Sequence, residues 1–257
     1  MDRGDASGGG HKMEAVLAGK TALVTGSGQN IGRAIAVRLA QMGCQVVVNG
    51  ARDRAGCDDT AAHVVAAGGQ ALVAMGDVSR AEDVARMVDA ARDRFGGIDI
   101  LVNNAAQRPH KPFLETTDAD WDAVVDTALT AAFRLSRAVL PHMVAHKWGR
   151  IVNFTGMKSI RGYHEGAPIS AAKHGVWGLT KSLSQEFAAH GITANVVSPG
   201  QIRKDSDTAD DPARVRSIPA GVMGRPADVA ATVAFLCSPE AGFVSGQMIA
   251  VNGGEET

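Results

Sequence analysis

A lysine at position 173 lies in the stretch APISAAKHG, residues 167–175, among small and apolar side chains. Such a run is typical of a helix face packed closely against another element, where an ordinary solvated lysine is poorly placed. The residue one helical turn before it is Ile169, which neither accepts a hydrogen bond nor carries an opposite charge. A partner within its own helix therefore does not account for Lys173.

A glycine-rich stretch, TGSGQNIG at 25–32, has a composition suited to binding phosphate. It follows a β-rich run and opens a helical pattern, so its backbone N–H groups and the helix N-terminus can hold a pyrophosphate. We predict that four residues contact a dinucleotide there: Gly26, Ser27, Gln29 and Ile31. A tight strand-to-helix turn without a ligand is the alternative for this stretch taken alone.

The elements that position these residues alternate regularly along the chain. Apolar, β-rich runs such as TALVTG, QVVVN, DILVNN, RIVNFTG and TANVVSPG are separated by amphipathic helical patterns. Strands that are apolar on both faces, separated by helices, indicate a parallel sheet covered on both sides. The sequence therefore predicts an α/β fold with a doubly wound parallel sheet, a single Rossmann-type domain over residues 13–257. Residues 1–12 are predicted to be a disordered tail.

The composition restricts the class of function. With 257 residues, 45% of them hydrophobic, and a net charge of −1, the chain suits one soluble domain and offers no basic surface for nucleic acid or an anionic membrane. The three cysteines have no metal-ligand spacing, and no stretch resembles a signal peptide or a membrane-spanning run. We therefore expect a cytoplasmic protein without a metal site that acts on a small molecule.

Five motifs resemble, in order, those of the short-chain dehydrogenase/reductase family. They are the glycine motif at 25–32 (family pattern TGxxxGIG), Asp77-Val78, LVNNAA at 101–106, SPG at 198–200, and VSGQ followed by VNGG near the end. The resemblance covers nearly everything after residue 13. It implies that Asp77, Val78 and Asn104 contact the adenine and ribose of a dinucleotide, and that Ile202 touches its nicotinamide end. Capping of strands is the alternative role for Asn104 and Ile202.

The type of cofactor depends on the end of the second strand, NGARD at 49–53. An acid there would accept hydrogen bonds from the adenosine ribose, whereas a basic residue would bind a 2′-phosphate. The first acid is Asp53 and Arg52 precedes it, so we predict NADP(H). NAD(H) is the alternative if Arg52 is only a solvated residue at the start of the next helix. Asn30, which replaces a glycine of the family motif, is expected to take a positive φ, because asparagine visits that region readily.

The family's reductases use a serine, a tyrosine and a lysine around the fifth strand and the following helix, with an asparagine in the preceding long helix. Alignment without a gap places Lys173 at the lysine, Ile169 at the tyrosine and Gly156 at the serine. Ala128 takes the asparagine position. The resemblance implies that Lys173 holds the nicotinamide ribose. Because positioned acid–base groups contribute roughly 10²–10⁴ in rate, their loss predicts different chemistry or none.

Tyr163, the only tyrosine, lies in the loop SIRGYHEG at 159–166, which in this family lines the substrate pocket. We predict that Tyr163 is catalytic together with Lys173, as a proton donor displaced from its usual position. Packing is the alternative role, and the neighbouring His164 is a second candidate donor. Four basic residues expected near the cleft mouth would suit an anionic substrate: Arg108, His110, Lys158 and Arg161. The polar segment 203–216 is a candidate substrate lid.

Three functions are compatible with these residues. The first is an NAD(P)(H)-dependent oxidoreductase with a non-standard active site. The second is a non-redox enzyme on the same scaffold, such as a lyase or hydratase, and the third is a non-catalytic nucleotide sensor or partner subunit. The resemblance also implies a homo-oligomer, a dimer or tetramer, because the family usually associates through its long helices and C-terminal strand.

Overall fold

The computed structural model describes residues 15–156 and 161–255. Seven strands form one sheet of parallel neighbours, in the order β3-β2-β1-β4-β5-β6-β7. The strands are β1 Thr21–Val24, β2 Gln45–Gly50, β3 Ala71–Met75, β4 Ile100–Asn103, β5 Gly149–Phe154, β6 Ile192–Pro199 and β7 Met248–Val251. The chain builds outward from β1 to β3 and then returns to β4. The strand order therefore reverses between β1 and β4, the point at which such folds bind ligands.

Helices cover both faces of the sheet, which confirms the predicted doubly wound, Rossmann-type fold. They are α1 Asn30–Gln41, α2 Arg54–Ala66, α3 Ala81–Phe95, α4 Asp118–Val125, α5 Ala131–Ala145, α6 Ala167–Phe187, α7 Pro212–Val215 and α8 Pro226–Cys237. Apolar side chains of α1, α2 and α8 pack on one face of the sheet, and those of α3, α5 and α6 pack on the other. Strands β1, β5 and β6 are buried along their whole length, which explains their continuous apolar sequences.

The long helical stretch before β5, which contains Ala128, has an interruption. Helices α4 and α5 cover most of it, and a π-helical turn, Asp126–Thr130, joins them. Such turns within α-helices are rare and frequently lie at functional sites. This turn contains Ala128, the residue at the family's asparagine position.

Residues 1–14, 157–160 and 256–257 lie outside the described part of the chain. The predicted tail at 1–12 and the position of Lys158 therefore stay predictions. Within the described ranges, no helix is both long and apolar enough to cross a membrane. Over the same ranges, no three His, Cys, Asp or Glu side chains come together in a way that would hold a metal ion.

Candidate cofactor and substrate site

A cavity of about 790 Å³ opens at the point where the strand order reverses, and we name it the nucleotide cavity. Its volume is in the range of small-molecule and cofactor pockets. The loops after five different strands contribute to its wall. Seven of the residues predicted to contact a dinucleotide line it: Gly26, Gln29, Ile31, Arg52, Asp77, Val78 and Asn104.

The glycine-rich turn at the base of this cavity is fixed by close backbone packing. Gly26 has a φ of +62°, and a Cβ there would lie 3.1 Å from the Cα of Ala105. A Cβ on Gly32 would overlap the carbonyl oxygen of Gly26. Asn104 braces the turn, because its Nδ2 donates to the carbonyl oxygens of Thr25 and Gly26, each at 3.0 Å. The result is a cradle of bare backbone whose shape fits a diphosphate.

Asn30 has a φ of +49°, which confirms the positive φ expected from the sequence. Its backbone N–H donates to Oδ2 of Asp205 at 2.7 Å, and its Oδ1 accepts from the N–H of Asp205 at 2.9 Å. This reciprocal pair holds the candidate lid segment against the start of α1. Gln29, the N-cap of α1, makes no side-chain cap, so the carboxylate of Asp205 supplies the negative charge that a helix N-terminus favours.

Three predicted contacts do not line the nucleotide cavity: Ser27, Ile202 and Lys173, the last of which is described below. Ser27 is fully buried, and its Oγ donates to the carbonyl oxygen of Val24 at 2.8 Å and accepts from the N–H of Asn49 at 3.0 Å. Its side chain therefore ties the turn to β2. Ile202 lines a different cavity, of about 450 Å³, and forms an isolated β-bridge with Gly224. Contact of either side chain with a dinucleotide stays a prediction.

The end of β2 presents a cation to the nucleotide cavity. Asn49 is buried, and its Oδ1 accepts from the N–H of Gly26 at 3.3 Å. Asp53 is engaged as the N-cap of α2, since its Oδ1 accepts from the N–H of Gly56 at 2.9 Å. Arg52 is exposed at the cavity rim, and it forms no ion pair with any described residue. Its guanidinium is therefore the group at this strand end that is available to an anion.

Lys173 has a backbone partner, which answers the question raised by its sequence context. The side chain is buried, and its Nζ donates to the carbonyl oxygen of Phe154 at 2.7 Å, at the end of β5. Burial lowers its pKa from the ordinary value of 10.5 to about 7, and the nearby positive charge of Arg108 acts in the same direction. Lys173 is not among the described residues that line either the nucleotide cavity or its neighbour.

An apolar cluster occupies the positions that the resemblance assigns to the asparagine and the tyrosine. Ala128 from the π-helical turn and Ile169 from α6 are both buried in it, together with Val124 and Ala172. The side chain of Tyr163 packs against this cluster from the loop before α6. These positions therefore carry tightly packed hydrocarbon rather than groups that exchange protons.

A second cavity, of about 420 Å³, adjoins the nucleotide cavity, and Arg108 lines both. We name it the adjacent cavity. Polar and charged side chains make up much of its described wall. The residues important here are Arg108, His110, Gly156, Tyr163, Arg214 and Glu255.

Tyr163 and His164 are neighbours in sequence but have different surroundings. Tyr163 lines the adjacent cavity, and its N–H donates to Oγ of Ser170 at 2.9 Å, which fixes the loop to the start of α6. The His164 side chain is 93% exposed and is not part of the described lining of either cavity. The structure therefore favours Tyr163 over His164 as a group that meets a substrate.

Glu255 is a polar residue of the adjacent cavity that the sequence analysis missed. It follows the Asn252-Gly253-Gly254 turn after β7, and its backbone N–H donates to the carbonyl oxygen of Asn252 at 3.2 Å. The sequence signal that could have identified Glu255 is an acidic residue directly after two glycines at the carboxyl end of a strand. A turn at that edge of a parallel sheet points toward the ligand-binding crevice.

Known proteins resemble this chain over nearly its whole length. A family model described as Enoyl-(Acyl carrier protein) reductase matches residues 26–256. A 3-oxoacyl-[acyl-carrier-protein] reductase of Vibrio cholerae is 39% identical over 243 residues, 93% of this chain and 98% of the relative. The corresponding reductase of Synechocystis sp. is 38% identical over 240 residues, 93% of this chain and 97% of the relative.

Two solved structures have a similar fold. One, from Sinorhizobium meliloti, is provisionally assigned as a short-chain alcohol dehydrogenase, with a TM-score of 0.87 and 35% identity over 95% of this chain and 98% of that one. The other, from Agrobacterium tumefaciens, is provisionally assigned as a gluconate dehydrogenase, with a TM-score of 0.86 and 35% identity over the same shares. The matches in sequence and in fold agree with the motifs and the strand order, and this chain belongs to the short-chain dehydrogenase/reductase family of oxidoreductases.

Proposed function

We propose that the protein is an NADP(H)-dependent oxidoreductase with a non-standard active site, in which Tyr163 is the proton donor. The observation that carries the proposal is the position of Tyr163, which lines the adjacent cavity together with Gly156 and packs against Ile169. A phenol therefore lies beside the two positions at which the family's serine and tyrosine would be expected. Tyr163 would supply, from the loop before α6, the phenol group that the resemblance assigns to position 169.

The residues of the nucleotide cavity fit the cofactor. The bare backbone around Gly26 and Gly32 leaves room for a diphosphate, and Asp77, Val78 and Asn104 would form the adenosine side of the site. The guanidinium of Arg52 would bind a 2′-phosphate by charge-assisted hydrogen bonds. When bound, NADP(H) supplies or accepts a hydride.

Lys173 would hold the nicotinamide ribose, as the resemblance implies. A lysine with a pKa of about 7 exchanges protons readily near neutrality, so its charge would respond to a bound ligand. In reduction, the Tyr163 hydroxyl would give its proton to the oxygen of the substrate, and in oxidation it would receive that proton back.

The substrate that suits the adjacent cavity is a small anion. Arg108 lines the boundary of the two cavities and forms no ion pair among the described residues, and His110 lies beside it. A guanidinium group binds carboxylates and phosphates by charge-assisted hydrogen bonds, and an imidazole N–H can add a further donor. The relatives named as acyl-carrier-protein reductases and the structure provisionally assigned as a gluconate dehydrogenase suggest two substrate types. The charged wall favours the small anion over an acyl chain.

The apolar cluster at Ala128 and Ile169 favours a second candidate, a non-catalytic NADP(H) sensor or partner subunit. A lyase or hydratase on the same scaffold is a third candidate.

We also expect a cytoplasmic homo-oligomer, a dimer or tetramer. Large exposed apolar side chains on and near the helices offer surfaces for such contacts: Phe113, Leu114, Phe133 and Phe243.

Two measurements, made one after the other, test the proposal. Fluorescence titration with NADPH and NADH should show tighter binding of NADPH. Absorbance at the reduced-nicotinamide band, followed with a panel of small keto acids and hydroxy acids, should then show turnover with at least one of them. Binding without turnover of any member would support the sensor instead, and absence of nucleotide binding would contradict both.

A further inference from the structure

We infer that Glu255 binds the substrate, and that the substrate is a hydroxylated carboxylate, with an anionic end at Arg108 and hydroxyl groups that donate to Glu255. This inference rests on the proposed function only because that function places the substrate in the adjacent cavity.

One oxygen of Glu255 is buried without a hydrogen bond. Oε2 is shielded from solvent and has no partner within the described residues. Oε1 receives only two long contacts, each at 3.4 Å, from Nε2 of Gln201 and Oγ of Ser217. A buried carboxylate oxygen is costly unless a donor satisfies it. Because Glu255 lines the adjacent cavity, a rotation of its carboxylate would turn Oε2 toward a ligand in that cavity, which would then supply the missing donor.

The main chain keeps this carboxylate at the cavity wall. Gly253 and Gly254 both have positive φ, +64° and +86°, and together they turn the chain back after β7. A Cβ on Gly200 would lie 3.2 Å from Oε2, so the oxygen lies directly over the backbone at the end of β6. Two strand ends therefore define where Oε2 lies, and any larger residue at position 200 would crowd it.

The cations of the cavity do not neutralise Glu255. Among the described residues, Arg214 pairs with Asp211 at 3.5 Å, and neither Arg108 nor His110 forms an ion pair with Glu255. The wall thus presents separate cationic and anionic groups. A carboxylate on the ligand matches Arg108, and hydroxyl groups match Oε2. A hydroxyl fits better than an ammonium group, because the described wall holds more basic side chains than acidic ones. An unsubstituted acyl chain would leave Oε2 without a donor.

Three six-carbon probes separate these contributions. Gluconate carries both a carboxylate and hydroxyls, hexanoate carries only the carboxylate, and glucitol carries only hydroxyls. Their affinities for the protein saturated with NADP⁺ are measured by calorimetry. We expect gluconate to bind about 10-fold more tightly than either of the others, since a hydrogen bond to a charged group contributes about 1.5–3 kcal/mol.

Substitution of Glu255 then tests the residue itself. Glu255→Ala should lose about 10-fold in gluconate affinity and leave hexanoate unchanged, whereas Glu255→Gln, which keeps an acceptor of the same shape, should lose less. Glu240→Ala, an exposed carboxylate outside the adjacent cavity, is the matched control. Thermal unfolding of each variant shows whether it is folded.

The result that would overturn the inference is a Glu255→Ala protein, folded and able to bind NADPH, that still prefers gluconate to hexanoate by the wild-type factor. Tighter binding of hexanoate than of gluconate by the wild-type protein would overturn it as well. Failure of NADPH to bind the wild type contradicts the proposed function instead, so the two failures are distinguishable.

Discussion

The nucleotide cavity and the adjacent cavity keep the family's residues to different degrees. In the first, the glycine-rich turn, Asp77, Val78 and Asn104 all line the wall as the resemblance predicts. Around the second, Ala128, Ile169 and Gly156 stand at the positions that the resemblance assigns to an asparagine, a tyrosine and a serine. Backbone geometry forms most of the wall of the first site, and side-chain functional groups form much of the wall of the second. The comparison teaches that a site formed by backbone can be predicted from a motif, whereas the chemistry of a site formed by side chains has to be tested residue by residue.

The largest expected effect comes from Tyr163→Phe, which removes only the hydroxyl from the adjacent cavity. If Tyr163 donates the proton, kcat on an active substrate should fall roughly 100-fold or more. NADPH affinity should stay constant, because the nucleotide cavity is lined by other residues. His164→Asn, at an exposed neighbour, is the control and should leave kcat unchanged. Full activity of both variants would remove the displaced-donor hypothesis.

A smaller effect is expected for Arg52→Ala at the rim of the nucleotide cavity. Loss of the guanidinium should weaken NADPH about 10-fold and leave NADH unchanged, because only NADPH carries the 2′-phosphate. Arg54→Ala is a suitable control, since Arg54 is already paired with Asp58 at 2.8 Å. Fluorescence titrations with both nucleotides make the comparison. Equal losses for NADPH and NADH would mean that Arg52 does not contact the 2′-phosphate.

The buried Lys173, which donates to the carbonyl oxygen of Phe154 at the end of β5, predicts a pH dependence of stability. Its pKa is about 7 in the folded protein and 10.5 ordinarily, so between these values the unfolded chain binds more protons. The free energy of unfolding should therefore rise with pH from about pH 7 to 10.5, by up to about 1.4 kcal/mol per pH unit, and this contribution of Lys173 is lost as the pH is lowered toward 7.

Urea unfolding of the nucleotide-free wild type and of Lys173→Met at pH 7, 8 and 9 measures this slope. The difference between the two proteins isolates Lys173 from the other titrating groups. Parallel pH profiles would show that burial does not perturb the lysine as described.

The smallest effect is expected for Asp205→Ala, which removes the carboxylate that accepts from the N–H of Asn30 at 2.7 Å and leaves the backbone N–H of Asp205 in place. Loss of this one charge-assisted hydrogen bond should speed NADPH dissociation by roughly 3- to 10-fold, because such a bond at an exposed site contributes about 1 kcal/mol. Stopped-flow displacement measures the rate, and Asp207→Ala provides a control within the same segment. A dissociation rate equal to that of the wild type would show that the segment does not restrain the nucleotide.

The sequence predicted best what depends on local backbone chemistry. The strands, the glycine-rich turn and the positive φ of Asn30 follow from patterns within a few residues. Contacts between distant residues were harder to predict. The pairing of Asn30 with Asp205 joins positions 175 apart, and the place of Glu255 depends on how the turn after β7 meets β6. The π-helical turn could not be predicted, because the spacing of its apolar residues resembles that of the helices on either side.

The direction of the Ser27 side chain could not be predicted for a related reason. A serine in a glycine-rich turn can point toward a ligand or toward the sheet, and both choices satisfy the local pattern. Asn49, brought alongside by strand pairing, provides the inward partner. Its position is known only once the register of β1 with β2 is known.

The packing of Ile169 against Ala128 also limits the evolutionary routes open to the protein. A tyrosine restored at 169 alone would bring a bulky hydroxylated ring into a closely filled hydrocarbon space, and overpacking of that kind destabilises by about 1–3 kcal/mol. An asparagine restored at 128 alone would bury an amide with apolar neighbours. Each of these single substitutions is therefore expected to destabilise the protein, so the two positions would have to change together with their neighbours to carry polar groups.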